Sequence, residues 1–271
     1  MDLQIVSGTA PSGGEDIYWE LVHHGPDDDR PVVVLSHGAG GSHAVWYQQV
    51  PALGAVHRVL TWDSRGFGNS TNRNDAPSAE AAAGDLAAVL DHHGIDRPHL
   101  IGQSMGGWHI SAFAVAHPDR VRSLVYADTV GGLWTSPLRE ALAAFMARGG
   151  LAGRGPTRVG HHAALWPGTA RRDQAHAFLY QALGSFHSPP MDKLDATIGW
   201  GVAHERIEAL GVPVLFVAGA HDDLFPAALL AESSRLIPAA RYVEIPDAGH
   251  SPYFEQPAAW NEAVLRFLAD A

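Results

Sequence analysis

Cysteine is absent from the 271 residues, which excludes a thiol nucleophile, a Cys-ligated zinc and structural disulfides. Charge is sparse too: 17% of residues are charged against 46% hydrophobic, a globular rather than disordered balance. Basic residues are the scarcer sign, 18 Lys and Arg against 29 Asp and Glu, for a formal net charge of -11. No basic patch offsets that total, so nucleic acid and anionic lipid surfaces are excluded as expected partners. Long apolar runs are missing as well, none approaching the roughly 20 residues of a membrane-spanning helix. The N-terminus places Asp2 in second position and ends its apolar run at Ser7 and Gly8, without the basic or long apolar regions of a signal peptide. A cytoplasmic location is the default expectation, with a small molecule as partner and a monomer or homodimer as the assembly. The length suffices for one large domain, or one domain carrying an insertion.

What is present is a recurrent pattern of short, nearly all-apolar runs: Pro31 to Leu35, His57 to Trp62, His99 to Ile101, Ser123 to Ala127, Val212 to Ala218 and Tyr242 to Ile245. Such runs suit strands buried on both faces of a parallel sheet. Helical patterns separate them. One starts near Ser78 and carries Leu86, Val89 and Leu90 on one face; another covers Met105 to Val115; the last carries Trp260, Val264, Phe267 and Leu268. The alternation is βαβ and predicts an α/β, mostly parallel, doubly wound sheet. Leu3 to Val6 and Ile17 to Val22 read as antiparallel edge strands.

The alternation lapses from Trp134 to Glu205, a stretch of helical fragments, paired Gly149 and Gly150, paired Pro189 and Pro190, and many aromatics. This is too long for an ordinary loop, so residues 134–205 are expected to form a helical cap inserted into a core domain of residues 1–133 and 206–271. No repeat or low-complexity tract interrupts either part.

Gly102, Gln103, Ser104, Met105 and Gly106 match G-x-S-x-G. The motif demands a sharp turn between strand and helix, where larger flanking side chains would collide as the Ser hydroxyl is pushed out over the sheet. Alone the match is weak, but a strand-like run precedes it and a helical one follows. A Ser hydroxyl needs a base to take its proton, and the base needs an acid to hold its tautomer. The chain order expected for such a fold is Ser, then an acid, then His. Asp222 leaves the strand ending near Ala218, and His250 lies in the loop after Tyr242 to Ile245, so three candidates converge on one edge of one sheet. Asp223 is the adjacent rival for the acid.

The sequence resembles the capped α/β-hydrolase superfamily over nearly the whole chain except the cap. His37 and Gly38 match its HG signature; Asp63, Arg65, Gly66, Gly68 and Ser70 match D-x-R-G-x-G-x-S; Gly219, Asp222 and Pro226 match its acid turn; Gly249 and His250 match its histidine loop. The resemblance favours Asp222 over Asp223 for the acid. It implies an oxyanion hole from the backbone N–H groups of Met105 and Ala39, with Gly40 a substitute for Ala39 because the turn of Gly38, Gly40 and Gly41 can fold in more than one way. Gly38, Gly40, Trp134 and Trp166 are expected at the substrate. Asp63 and Arg65 read as a structural ion pair fixing a loop, and His37 as a hydrogen-bonding strut.

Seventeen histidines invite other readings. The pairs His23 and His24, His92 and His93, and His161 and His162 suggest a metal, but no H-E-x-x-H or comparable spacing accompanies them, so neither metal nor cofactor is expected. Trp134, Phe145, Trp166, Phe178, Tyr180, Phe186 and Trp200 are candidates for an apolar pocket, at least half of them serving the cap's own core. The expected activity is that of a serine hydrolase of a small, largely apolar carboxylic ester or lactone. The run from Ser104 to Gly107 also resembles hydrolases of C–C bonds in aromatic ring-cleavage products, and a ligand sensor on the same fold is the alternative outside enzymes.

Overall fold

The computed structural model describes residues 3–150, 158–185, 189 and 191–271. Its centre is an eight-stranded sheet. The strands are β1 (Gln4–Ser12), β2 (Glu15–His23), β3 (Val32–Ser36), β4 (Arg58–Trp62), β5 (His99–Gln103), β6 (Ser123–Ala127), β7 (Val214–Gly219) and β8 (Arg241–Ile245). Their spatial order is β1-β2-β4-β3-β5-β6-β7-β8, with β1, β2 and β4 antiparallel in succession and the remainder parallel.

The helices are α1 (Gln49–Gly54), α2 (Ala79–His92), α3 (Met105–Ala116), α4 (Ser136–Ala147), α5 (Pro167–Arg172), α6 (Gln174–Leu183), α7 (Asp195–Ile198), α8 (His204–Glu208), α9 (Ala227–Ser234), α10 (Pro252–Glu255) and α11 (Pro257–Ala269). Because strand side chains alternate between faces, each apolar run feeds two cores. Val34, Leu60, Leu100, Leu124 and Phe216 meet Leu86, Val89 and Leu90 of α2 and Phe113 of α3. Val33, Val59, Ile101, Val125 and Val217 meet Trp46 and the Trp260, Val264, Phe267 stripe of α11. The start of α2 is set by Ser78, whose Oγ accepts the Ala81 N–H at 3.0 Å.

Most strand boundaries shift by a residue or two from expectation, and three of the shifts have a clear physical cause. β1 runs on to Ser12 through Ser7 and Gly8, because Gly8 pairs with Trp19 and a side chain there would press on the Trp19 indole at 3.0 Å. β1 is the sheet edge, whereas β2 is interior, paired on its far side with β4. Val212 falls outside β7 because Pro213 has no N–H for the ladder, and His57 falls outside β4 because its N–H is donated to Leu53 at the end of α1.

Between β6 and β7 the described residues hold no strand, only the short helices α4 to α8 and a 3₁₀ turn at Met191–Leu194. Among the described residues no helix is long and apolar enough to cross a membrane. The parallel strands β3, β5, β6, β7 and β8 are consecutive neighbours, so the loops leaving them open on one edge of the sheet.

Candidate active site

The tightest turn on that edge joins β5 to α3. Ser104 occupies it with φ 49° and ψ -119°, a left-handed backbone that side chains rarely adopt. The flanking glycines make it possible: a Cβ on Gly102 would strike the Gly106 backbone, and one on Gly106 would strike the Ser36 carbonyl of β3. The Ser104 N–H is held by the Ala127 carbonyl at 3.0 Å. Met105 is the first residue of α3, where an N–H has no acceptor within the helix.

The Ser104 Oγ lies 2.9 Å from His250 Nε2, and His250 Nδ1 lies 2.8 Å from Asp222 Oδ2. The other oxygen of Asp222 accepts the N–H groups of Leu224 at 2.8 Å and Phe225 at 3.1 Å. The His250 carbonyl accepts Gln103 Nε2 at 2.9 Å, tying the histidine loop to the residue before the serine. Asp222 and His250 are buried and Asp223 is exposed, so of the two adjacent carboxylates only Asp222 reaches the imidazole. Such a chain can draw a proton from a hydroxyl through an imidazole held in one tautomer.

The turn after β3 passes over the same spot. Gly41 N–H donates to the Gly38 carbonyl at 3.0 Å, closing a turn in which Gly40 takes φ 76°. Gly38 abuts the turn that carries Ser104, since a Cβ there would lie 3.0 Å from Ser104 Cβ. Ala39 packs on Phe67, Met105 and Leu194, an apolar wall beside the serine. Beneath the turn, His37 Nε2 accepts the Ser64 N–H at 3.1 Å, which puts the ring proton on Nδ1, where it is donated to the Gly38 carbonyl at 2.8 Å. Burial lowers the His37 pKa and keeps the strut neutral.

Asp63 and Arg65 do not pair with each other. Arg65 forms a two-pronged pair with Asp85 of α2, at 2.8 and 2.6 Å. Asp63 takes the His43 backbone N–H at 2.6 Å, the His43 ring at 2.9 Å and the Asn69 N–H at 2.8 Å. Burial alone would raise its pKa, but these donors prevail and lower it. Two residues apart on a turn, the side chains point to different neighbours, which sequence spacing did not reveal.

A cavity of about 70 Å³ lies beside the turn, lined by Gly38 to Gly41, Val45, Gln103, His162, Tyr180, Gly184 and Tyr253. Gly38, Ala39 and Gly40 are therefore at the cavity, but the aromatic candidates scatter. Tyr180 lines it. Phe145 is buried in the core, Phe178 is exposed, Trp200 covers Gly132, and Phe186 lies outside the described residues. Trp134 stacks among Trp108 and Phe225, and Phe225 in turn flanks the His250 ring at 5.8 Å. Trp166 lies away from the cavity, stacked on His221 at 5.0 Å with Arg171 and Arg172 over its face. Among the described residues no group of three or more His, Asp or Glu side chains could hold a metal ion.

Sequence reasoning missed Glu255. Its carboxylate accepts Gly249 N–H at 2.7 Å, Trp166 N–H at 2.7 Å and the Thr169 hydroxyl at 2.5 Å, joining the start of α5 to the residue before His250. Burial raises its pKa against these donors. An acid directly after the apolar run Pro252 to Phe254, five residues past the histidine, was the available signal.

The family model of the alpha/beta hydrolase fold matches residues 31–257, and the chain belongs to that family. Fold and relatives together define it as a hydrolase. A Caulobacter sp. (strain K31) protein that bears the name of a carbamate hydrolase, RutD, is 33% identical over 95% of this chain and 98% of its own. A pimeloyl-[acyl-carrier protein] methyl ester esterase of Aeromonas hydrophila subsp. hydrophila is 30% identical over 88% of this chain and 95% of its own. Among solved structures, a thermophilic esterase from Thermogutta terrifontis with malate bound superposes with a TM-score of 0.77 at 26% identity, covering 98% of each chain.

Proposed function

We propose that the chain is a serine hydrolase that cleaves a carboxylic ester or lactone of a small substrate through an acyl-enzyme on Ser104. The observation that carries this reading is the unbroken chain from Ser104 Oγ through His250 to Asp222, at 2.9 and 2.8 Å, on a serine held at φ 49°. His250 takes the hydroxyl proton as Oγ attacks the acyl carbonyl, the N–H groups of Met105 and Ala39 receive the oxyanion, and His250 returns the proton to the leaving group. Water then repeats the sequence on the acyl-enzyme. Supporting the oxyanion assignment, Met105 begins a helix and the Ala39 turn abuts Ser104. The names of relatives, a carbamate hydrolase and a methyl ester esterase, are those of enzymes that attack a carbonyl bearing a heteroatom leaving group, as this mechanism requires.

In the same reading residues 134–205 act as a cap over the site. The cavity of about 70 Å³ suits a short acyl group, with the leaving group outside it. The test is twofold. An organophosphonate should attach to Ser104 and to no other serine, and p-nitrophenyl acetate should turn over faster than long-chain esters. Labelling elsewhere, or no turnover of any ester or lactone, would overturn the assignment and leave a C–C bond hydrolase or a ligand sensor.

A further inference from the structure

Asp128, the residue that follows β6, has φ 47° and is 0% exposed. Its N–H donates to the Val217 carbonyl at 2.8 Å and its Oδ1 accepts the Gly219 N–H at 2.7 Å, so it staples the ends of β6 and β7 together. The Gly219 carbonyl in turn accepts the Asp222 N–H at 3.1 Å, so the two aspartates meet at one glycine, close enough for the Asp222 charge to act on the Asp128 carboxyl. Among the described residues no donor reaches its Oδ2.

Two carboxyl groups held this close in a protein interior share a proton, because neither burial nor mutual repulsion tolerates both charges. The donors decide which one keeps the charge. Asp222 receives three N–H groups, from His250, Leu224 and Phe225, whereas Asp128 receives one, from Gly219. The proton therefore belongs on Asp128. Burial first and the Asp222 charge second push the Asp128 carboxyl well above the usual carboxylate range.

We propose that Asp128 is a positioning residue, a neutral carboxylic acid whose Oδ2 proton is donated to Asp222, fixing the carboxylate against which His250 is held. The proposal rests on the reading of Asp222 as the acid partner of His250. It gives the unsatisfied oxygen a partner and Asp222 a fourth donor. Glu255 of α10 and Asp222 are the charged groups acting on Asp128. Tyr180 of α6, Tyr242 of β8 and Tyr253 of α10 would also feel a charge on it, and burial makes each of them harder to ionise.

Three measurements test this. The infrared difference between wild type and Asp128→Asn near neutral pH should contain a carboxylic-acid C=O band lost in the variant; a carboxylate band in its place overturns the proposal. Asparagine tolerates the left-handed backbone and keeps a donor toward Asp222, so Asp128→Asn should leave the acid limb of the kcat/KM profile where wild type has it. A limb moved about one unit to lower pH means that a negative charge was removed, and overturns it. Asp128→Ala removes the donor and should move the limb to higher pH by about half a unit to one unit; where the strain at φ 47° prevents folding, the infrared band and the asparagine variant still decide. Turnover by Asp222→Asn would overturn the reading of the site itself, whereas an absent acid band with Asp222→Asn inactive overturns only the role of Asp128.

Discussion

The sheet and the segment between β6 and β7 contrast in how they are held. Of the strands that feed the site, β3, β5 and β7 are each flanked by two others and, like β6, are buried at every position, while β8 forms the far edge of the sheet. The segment is built from short helices with apolar side chains left in solvent, Met146 at 55% and Phe178 at 49% exposed. Several of its described hydrogen bonds to the rest of the protein end on one stretch. Glu255 binds Trp166 and Thr169, Ser251 binds Tyr180 at 2.9 Å, and the Phe254 carbonyl accepts His176 Nε2 at 2.9 Å beneath a stacked pair of rings. The seam thus runs along residues 251–255, immediately after His250. The frame carries Ser104, Asp222 and His250, and the segment is fastened directly beside His250.

The largest expected effect falls wholly on the frame. Ser104→Ala should fold with an unchanged melting temperature yet lose on the order of 10⁶ in kcat, since members of such a chain act as a unit. Retention of more than about a tenth of the wild-type rate would remove Ser104 from the nucleophile role. Next is Asp222→Asn, which cannot hold the tautomer that accepts the Ser104 proton and should cost about 10⁴ in kcat. Exposed Asp223 supplies the control: Asp223→Asn should cost little. Were Asp223→Asn the dead variant, the acid turn would be misread by one residue.

These residues were legible because their chemistry is bound to elements that sequence periodicity reveals. A G-x-S-x-G between an apolar run and a helical one, and an acid and a histidine each leaving a later strand, locate the site without any contact map. The serine's strand and helix coincide within two residues of the observed β5 and α3. What was not legible depends on packing between elements. Asp128 also leaves a buried strand on that edge and satisfies the Ser, acid, His order, but the acid turn of Gly219, Asp222 and Pro226 pointed to Asp222 alone. Trp166 was taken for a pocket residue on composition, and its side chain instead stacks on His221. Short helices carry too few turns to show which face is buried, so residue type alone could not say which aromatics line the cavity.

The frame should also be the acid-sensitive part. Burial holds the pKa of both His99 and His109 down to about 3, so each stays neutral in the folded protein. The unfolded chain takes up these protons as pH falls through about 6.5, whereas the folded one does not. Stability should therefore be complete above that pH and be lost progressively between about 6.5 and 3, at up to about 1.4 kcal/mol per histidine per unit. Melting curves across that range check this. A midpoint independent of pH down to about 4 would mean that these rings are charged or solvated in the native state.

The smallest effect is expected at the seam, and it distinguishes a fastened segment from a merely adjacent one. Glu255→Gln keeps size and one acceptor oxygen, but Glu255 uses both oxygens, Oε1 for Gly249 and Oε2 for Trp166 and Thr169. Whichever way the new amide is turned, its NH₂ faces a donor, and one side of the seam comes loose. An unmet buried N–H costs about 1–3 kcal/mol, which corresponds to roughly a tenfold to hundredfold effect. If the amide oxygen stays with α5, the loss lies beside His250 and should lower kcat with KM little changed. If it stays with Gly249, the loss lies at Trp166 and Thr169; KM should rise, and amide exchange should quicken across α5 and α6 while the sheet stays protected. Either split shows that the carboxylate couples the segment to the base. Wild-type kcat and KM together with unchanged exchange would mean that the two regions are independent, and that exchanging residues 134–205 for another cap should shift substrate choice without touching the rate of the chemical step.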